Sequence, residues 1–124
     1  MYYLQVEGDF ASAHQLREYQ GKCENLHGHN WRVVLRVKGE ELDKTGMLLD
    51  FGVLKKTLRD LLESLDHKFL NETVPFDTVN PTSEHLAKYL FEQMNALLPS
   101  GVCVHDVTVY ESEKSAATYD GPER

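Results

Sequence analysis

His27-Gly28-His29-Asn30-Trp31-Arg32-Val33-Val34-Leu35-Arg36-Val37-Lys38 alternates along its length. Trp31, Val33, Leu35 and Val37 fall on one side, opposite Arg32, Arg36 and Lys38, the period-two pattern of a strand with one face covered. The same parity puts His27 and His29 on the apolar side. Toward the N-terminus, residues 3–14 alternate in the same way. Leu4, Val6, Phe10, Ser12 and His14 share one face; Tyr3, Gln5, Glu7 and Asp9 share the other.

Toward the C-terminus the period changes. Across residues 51–65, Leu54, Leu58, Leu61, Leu62 and Leu65 form one stripe of a helix. Across 81–98, Leu86, Leu90, Met94, Leu97 and Leu98 form a second. Asn80 reads as its cap and Pro81 as its first residue, with Glu84 suited to the positive end of the helix dipole. Pro99-Ser100-Gly101 stops it. Residues 102–111 return to strand character through Val102, Val104, Val107 and Val109, and 115–120 read as a short last strand. The order β-β-α-α-β-β predicts an α+β fold, a four-stranded antiparallel sheet with two helices on one face. Residues 1–124 carry no repeat, linker or low-complexity run, so one domain is expected. An open sheet leaves two edges, which oligomerisation can pair.

Composition narrows the function. Hydrophobic residues make up 41% and charged residues 27%, ordinary values for a globular protein. No apolar run approaches the roughly 20 residues of a membrane span, and the first residues lack the pattern of a signal peptide; a cytoplasmic protein with no membrane partner is expected. The net charge of −7 argues against a nucleic-acid partner. A phosphate-bearing substrate would need locally placed cations. The two cysteines, Cys23 and Cys103, read as free thiols.

Chemistry concentrates in Cys23-Glu24-Asn25-Leu26-His27-Gly28-His29. Alone, His-Gly-His suits a turn as well as a metal. With His14 in matching phase on a neighbouring strand, three imidazoles converge on the helix-covered face. Three neutral nitrogens suit Zn²⁺ and leave a fourth position for water or substrate. Cys23 reads either as a small buried hydrophobe or as a base, because its polar loop places it beside Lys22 and a dication. Cys103, in an apolar strand, reads as buried. Asp66-His67 reads as a helix end favoured by the dipole or as an acid–base pair. Glu111, in phase with Val107 and Val109, reads as a strand-end charge or as an acceptor for two parallel N–H donors. His85 and His105 read as ordinary surface residues.

Taken together, Phe10-Ala-Ser-Ala-His14, Cys23-Glu-Asn-Leu-His27-Gly-His29, Leu49-Asp-Phe51 with Leu54-Lys55, Leu65-Asp66-His67, Asn80-Pro-Thr-Ser-Glu84 and Val109-Tyr-Glu111 resemble the 6-pyruvoyl-tetrahydropterin and 6-carboxytetrahydropterin synthases. The resemblance spans nearly the whole chain. It implies a tunnelling fold whose subunits join sheets into a β-barrel, as trimers stacked into a homohexamer. It implies zinc on His14, His27 and His29, with Cys23 moving protons, assisted by Asp66 and His67 from a neighbouring subunit. It also implies Glu111 gripping the pterin, with Thr82 and Ser83 nearby, and 7,8-dihydroneopterin triphosphate as the substrate class.

The three residues between Cys23 and His27 resemble the bacterial 6-carboxytetrahydropterin synthases of queuosine (7-deazaguanine) synthesis, lyases that release acetaldehyde and triphosphate. Pyruvoyl-forming members more often have five. Glu24 also completes the Glu-x-x-His-Gly-His pattern of members that cleave the same substrate toward folate. Three classes therefore stay open: a carboxytetrahydropterin synthase, another pterin enzyme on the same scaffold, and a non-enzymatic metal-binding module.

Overall fold

A computed structural model describes residues 1–17 and 25–122. Two long strands, β1 (Tyr2–His14) and β2 (His27–Gly39), precede helix α1 (Phe51–Glu63). A two-residue strand β3 (Lys68–Phe69), helix α2 (Ser83–Leu97) and the strands β4 (Val102–Ser112) and β5 (Ser115–Tyr119) follow. They form one mixed sheet in the order β3-β1-β2-β4-β5. The four antiparallel strands read from the alternation are present. The fifth, β3, runs parallel to β1 and pairs only at Ser12 and Ala13, too short to leave a periodic signal.

Both helices cover the face carrying Val6, Phe10, Trp31, Val33, Leu35, Val37, Val104, Val107 and Val109, all buried. Leu54, Leu58 and Leu62 of α1 and Leu86, Leu90 and Met94 of α2 pack onto them. Gly8 lies on this face of β1, where a Cβ would come within 2.7 Å of Leu62 Cδ1. A bare backbone there lets α1 sit close to the sheet.

Local chemistry shifts two helix boundaries. Helix α1 begins where the Asp50 side chain accepts from the Gly52 amide at 2.6 Å and ends at Glu63, before the buried Leu65. Asp66 and His67 therefore lie beyond the helix and do not finish it. Helix α2 is capped by Thr82, whose hydroxyl accepts from His85 N at 3.1 Å. Asn80 instead accepts from the Arg17 amide at 2.9 Å, so Pro81 precedes the helix.

Strand β4 contains a bulge. Arg36 pairs with Asp106 and Val37 with Val104, leaving His105 as the extra residue. The bulge keeps Val102 and Val104 on the same face as Val107, Val109 and Glu111 despite the change of parity. Cys103 pairs with Lys38 and is exposed; the burial expected of it is not found, because its two valine neighbours take the covered face.

Candidate active site

Antiparallel pairing sets His14 directly opposite His27, and Ser12 opposite His29. The next covered pair is Phe10 with Trp31. Three imidazoles thus crowd at one end of the covered face. His14 is fully buried, while His27 and His29 are half-buried. Glu111, near the end of β4, reaches the same point: its Oε1 lies 3.0 Å from His29 Nε2, 3.6 Å from His14 Nε2 and 3.8 Å from His27 Nε2.

The loop before α2 completes the arrangement. Arg17 donates to the carbonyls of Asn71, Phe76 and Val79, pinning that loop against the end of β1. Pro81 O then stands 2.8 Å from His14 Nδ1. A carbonyl only accepts, so His14 Nδ1 carries the proton and Nε2 presents a lone pair. His27 Nδ1 lies 2.9 Å from Asn25 O with the same consequence. The two Nε2 atoms are 3.0 Å apart, and two lone pairs facing at that distance repel unless a cation lies between them.

The donor set fits such an ion. A tetrahedral zinc with bonds of about 2.0–2.1 Å spaces its donors about 3.3 Å apart. The separations of 3.0, 3.6 and 3.8 Å within this cluster bracket that value, and all four donor atoms lie within 4.8 Å of one another. Of the sequence candidates, His14, His27, His29 and Glu111 come together here. Ser83 joins them, with its hydroxyl 3.4 Å from Glu111 Oε2. Thr82 spends its hydroxyl on the α2 cap. Cys23 and Glu24 lie outside the described residues.

Asp66 and His67 form a pair, with Oδ2 to Nδ1 at 2.9 Å. Asp66 Oδ1 accepts from the Ala11 amide at 2.8 Å. That amide, with His67 beside it, holds the Asp66 carboxyl below its usual value. His67 sits in the left-handed region at φ 55° and is exposed. It lines two adjoining clefts of about 470 Å³ each, one with Ser12, Gly28 and His29 and the other with Asp9, Asn30 and Arg32. A larger cavity of about 670 Å³ lies beside Lys38, Leu48 and Gly101 and contains none of the four donors. His85 Nδ1 meets Asn80 O at 2.6 Å, and His105 packs edge-on against Tyr3; neither joins the cluster.

Sequence reasoning missed the two carbonyls that set the tautomers, since main-chain acceptors leave no mark on residue type. It placed Trp31 on the same face as His27 and His29 but gave it no role at the site.

Comparison with known proteins completes the description. The family profile described as 6-pyruvoyl tetrahydropterin synthase matches residues 3–122. The chain is 38% identical to the 6-carboxy-5,6,7,8-tetrahydropterin synthase of Synechocystis sp., covering 98% of this chain and 95% of that protein. It is 40% identical to the human 6-pyruvoyl tetrahydrobiopterin synthase, covering 82% of this chain and 72% of that one. The solved structure of the Caenorhabditis elegans 6-pyruvoyl tetrahydropterin synthase superposes with a TM-score of 0.83 at 33% identity, covering 98% and 96% of the two chains.

Proposed function

Since the chain belongs to the 6-pyruvoyl tetrahydropterin synthase family, we propose that it is the 6-carboxy-5,6,7,8-tetrahydropterin synthase of a queuosine-type (7-deazaguanine) pathway. It would convert 7,8-dihydroneopterin triphosphate to that product with release of acetaldehyde and triphosphate. The observation that carries the proposal is the convergence of His14, His27, His29 and Glu111 at one point. It occurs in a chain similar over nearly its whole length to a protein of that name. The three-residue spacing between Cys23 and His27 supports the carboxy product.

In this reading His14, His27 and His29 hold zinc, which when bound lowers the pKa of substrate hydroxyls and stabilises charge developing on their oxygens. Cys23 moves protons at the adjacent side-chain carbons. Asp66 fixes the His67 ring through Nδ1, leaving Nε2 for proton transfer. Glu111 receives the amino group and ring N–H of the pterin on its two oxygens; Ser83, at 3.4 Å from one of them, orients it, and Thr82 borders the pterin. Glu24 is the residue of a folate-type side reaction.

Family membership supports a site completed by a second chain, with Asp66 and His67 reaching it from a neighbouring subunit. The open edges support ring closure. Among the described residues β3 covers only Ser12 and Ala13 of β1, so most of that long strand is free to pair with another subunit. A hexamer of stacked trimers is the assembly proposed. No helix among the described residues is long and apolar enough to cross a membrane, in keeping with the proposed cytoplasmic location.

Incubation with dihydroneopterin triphosphate, followed by mass identification of the product, tests the assignment. A carboxytetrahydropterin supports it. A pyruvoyl product, favoured by the human relative, or a folate-type cleavage product reassigns the chemistry. Zinc binding without turnover leaves a metal-binding module. One distance favours a second role for Glu111: Oε1 at 3.0 Å from His29 Nε2 suits a fourth metal donor. In Glu111→Gln, lost zinc indicates a metal donor, whereas retained zinc with weakened substrate binding indicates the pterin anchor.

A further inference from the structure

The cluster sets a problem that the metal alone does not solve. Before an ion arrives, imidazole lone pairs that face one another repel, and the rings lower their energy by rotating away. Hydrogen bonds from Nδ1 to Pro81 O and Asn25 O restrain His14 and His27. A packed wall supplies a further restraint, shared by two of the rings. The indole of Trp31, fully buried, stands edge-to-face against His14 at 4.9 Å and 84°, and against His29 at 5.3 Å and 72°.

The indole is itself held from behind. Phe10 stacks on it at 5.9 Å with the planes 8° apart, and Trp31 Nε1 donates to Ser12 O at 3.3 Å. Rotation of either His14 or His29 about its ring axis runs into a group that has nowhere to move.

We propose that Trp31 is a positioning residue for the metal, its indole fixing the ring planes of His14 and His29 so that their Nε2 atoms face that of His27 before an ion binds. The proposal rests on the cluster being a metal site. Groups that orient metal ligands without touching the ion typically cost 10–100-fold in affinity when removed. An ordinary core residue costs stability instead.

Zinc affinity, measured by competition with a chelator, separates the two. W31F keeps a ring in the wall and is expected within about 3-fold of the wild-type affinity. W31L is expected to weaken zinc binding about 10–100-fold. L35A removes an equally buried side chain four residues further along the same face; it should lower the melting temperature while leaving zinc affinity unchanged. A W31L protein with wild-type affinity overturns the inference, and so does an L35A protein that loses as much affinity as W31L. The wild-type protein provides a reading that needs no variant. Emission from Trp31, the single tryptophan, should shift during zinc titration and saturate at one ion per chain; unaltered emission at full loading overturns the contact. A wild-type protein that binds no zinc overturns the metal reading as well, which distinguishes that failure from this one.

Discussion

Replacing His67 by asparagine should abolish most turnover while leaving the fold as stable as before. The backbone at His67 is left-handed, with φ 55°. A side chain other than glycine costs on the order of 1 kcal/mol there, and asparagine is among the residues that tolerate it best. The imidazole is 83% exposed, so shortening it uncovers little apolar surface. Its Nδ1 contact with Asp66 lies at the surface, where such polar pairs contribute little. The main-chain bond from His67 N to Ala11 O survives the change. The expected stability change is therefore within about 0.5 kcal/mol, or a shift of roughly 3 °C or less in melting temperature for a chain of this size. Loss of an acid–base group lowers turnover by about 100-fold or more. Thermal unfolding and steady-state turnover on the same zinc-loaded preparation measure both. Near-normal turnover would remove His67 from the chemistry; a fall in melting temperature beyond about 5 °C would show that the exposed, left-handed geometry is misread.

His29→Ala should bind far less than one zinc per chain, since His29 offers one of the four converging donors; full zinc occupancy by elemental analysis would sink the metal assignment. Cys23→Ala should keep its zinc and lose at least about 100-fold in turnover, and an active variant would make the thiol a bystander. Acid should affect wild type more than Asp66→Asn. The folded-state pKa of Asp66 is lowered, so its contribution is fully present above the unfolded value near 3.9 and is lost as pH falls through the folded one. Equal loss of melting temperature in both proteins from pH 5 to 3 would contradict the Ala11 bond. Finally, reassembling inactive Cys23→Ala with inactive His67→Ala should restore part of the activity, because some sites in mixed oligomers would receive both intact residues. No recovery in verified mixed oligomers, or a solution mass of one chain, would exclude a shared site.

The three clustered histidines were legible because alternation is a strong constraint. A strand that covers one face with Trp31, Val33 and Leu35 must send His27 and His29 the same way, and His14 follows Phe10 by the same rule. Glu111 was readable from Val107 and Val109. The bulge in β4 was readable as well, since Val102 and Val104 have even parity and the later covered residues odd. Following that change through would have put Cys103 outside. Choosing between Asn80 and Thr82 as the cap was beyond local reasoning: both residue types cap helices, and the decision was made by Arg17, more than sixty positions away, whose amide takes the Asn80 side chain.

Asp66 and His67 were the least readable residues, for a physical reason. Period-based inference carries a residue's direction forward only while the backbone stays in one basin. Helix α1 ends at Glu63, and the chain turns through His67 at positive φ before entering β3. Each change of basin resets the side-chain direction, so neither the leucine stripe before nor the strand after predicts where the imidazole goes. What fixes it is the edge of β1: Ala11 donates its amide to Asp66 and accepts from the His67 amide through its carbonyl. A residue with a methyl side chain thus orients the pair through its main chain, and substitution of Ala11 by another small residue should leave that orientation intact.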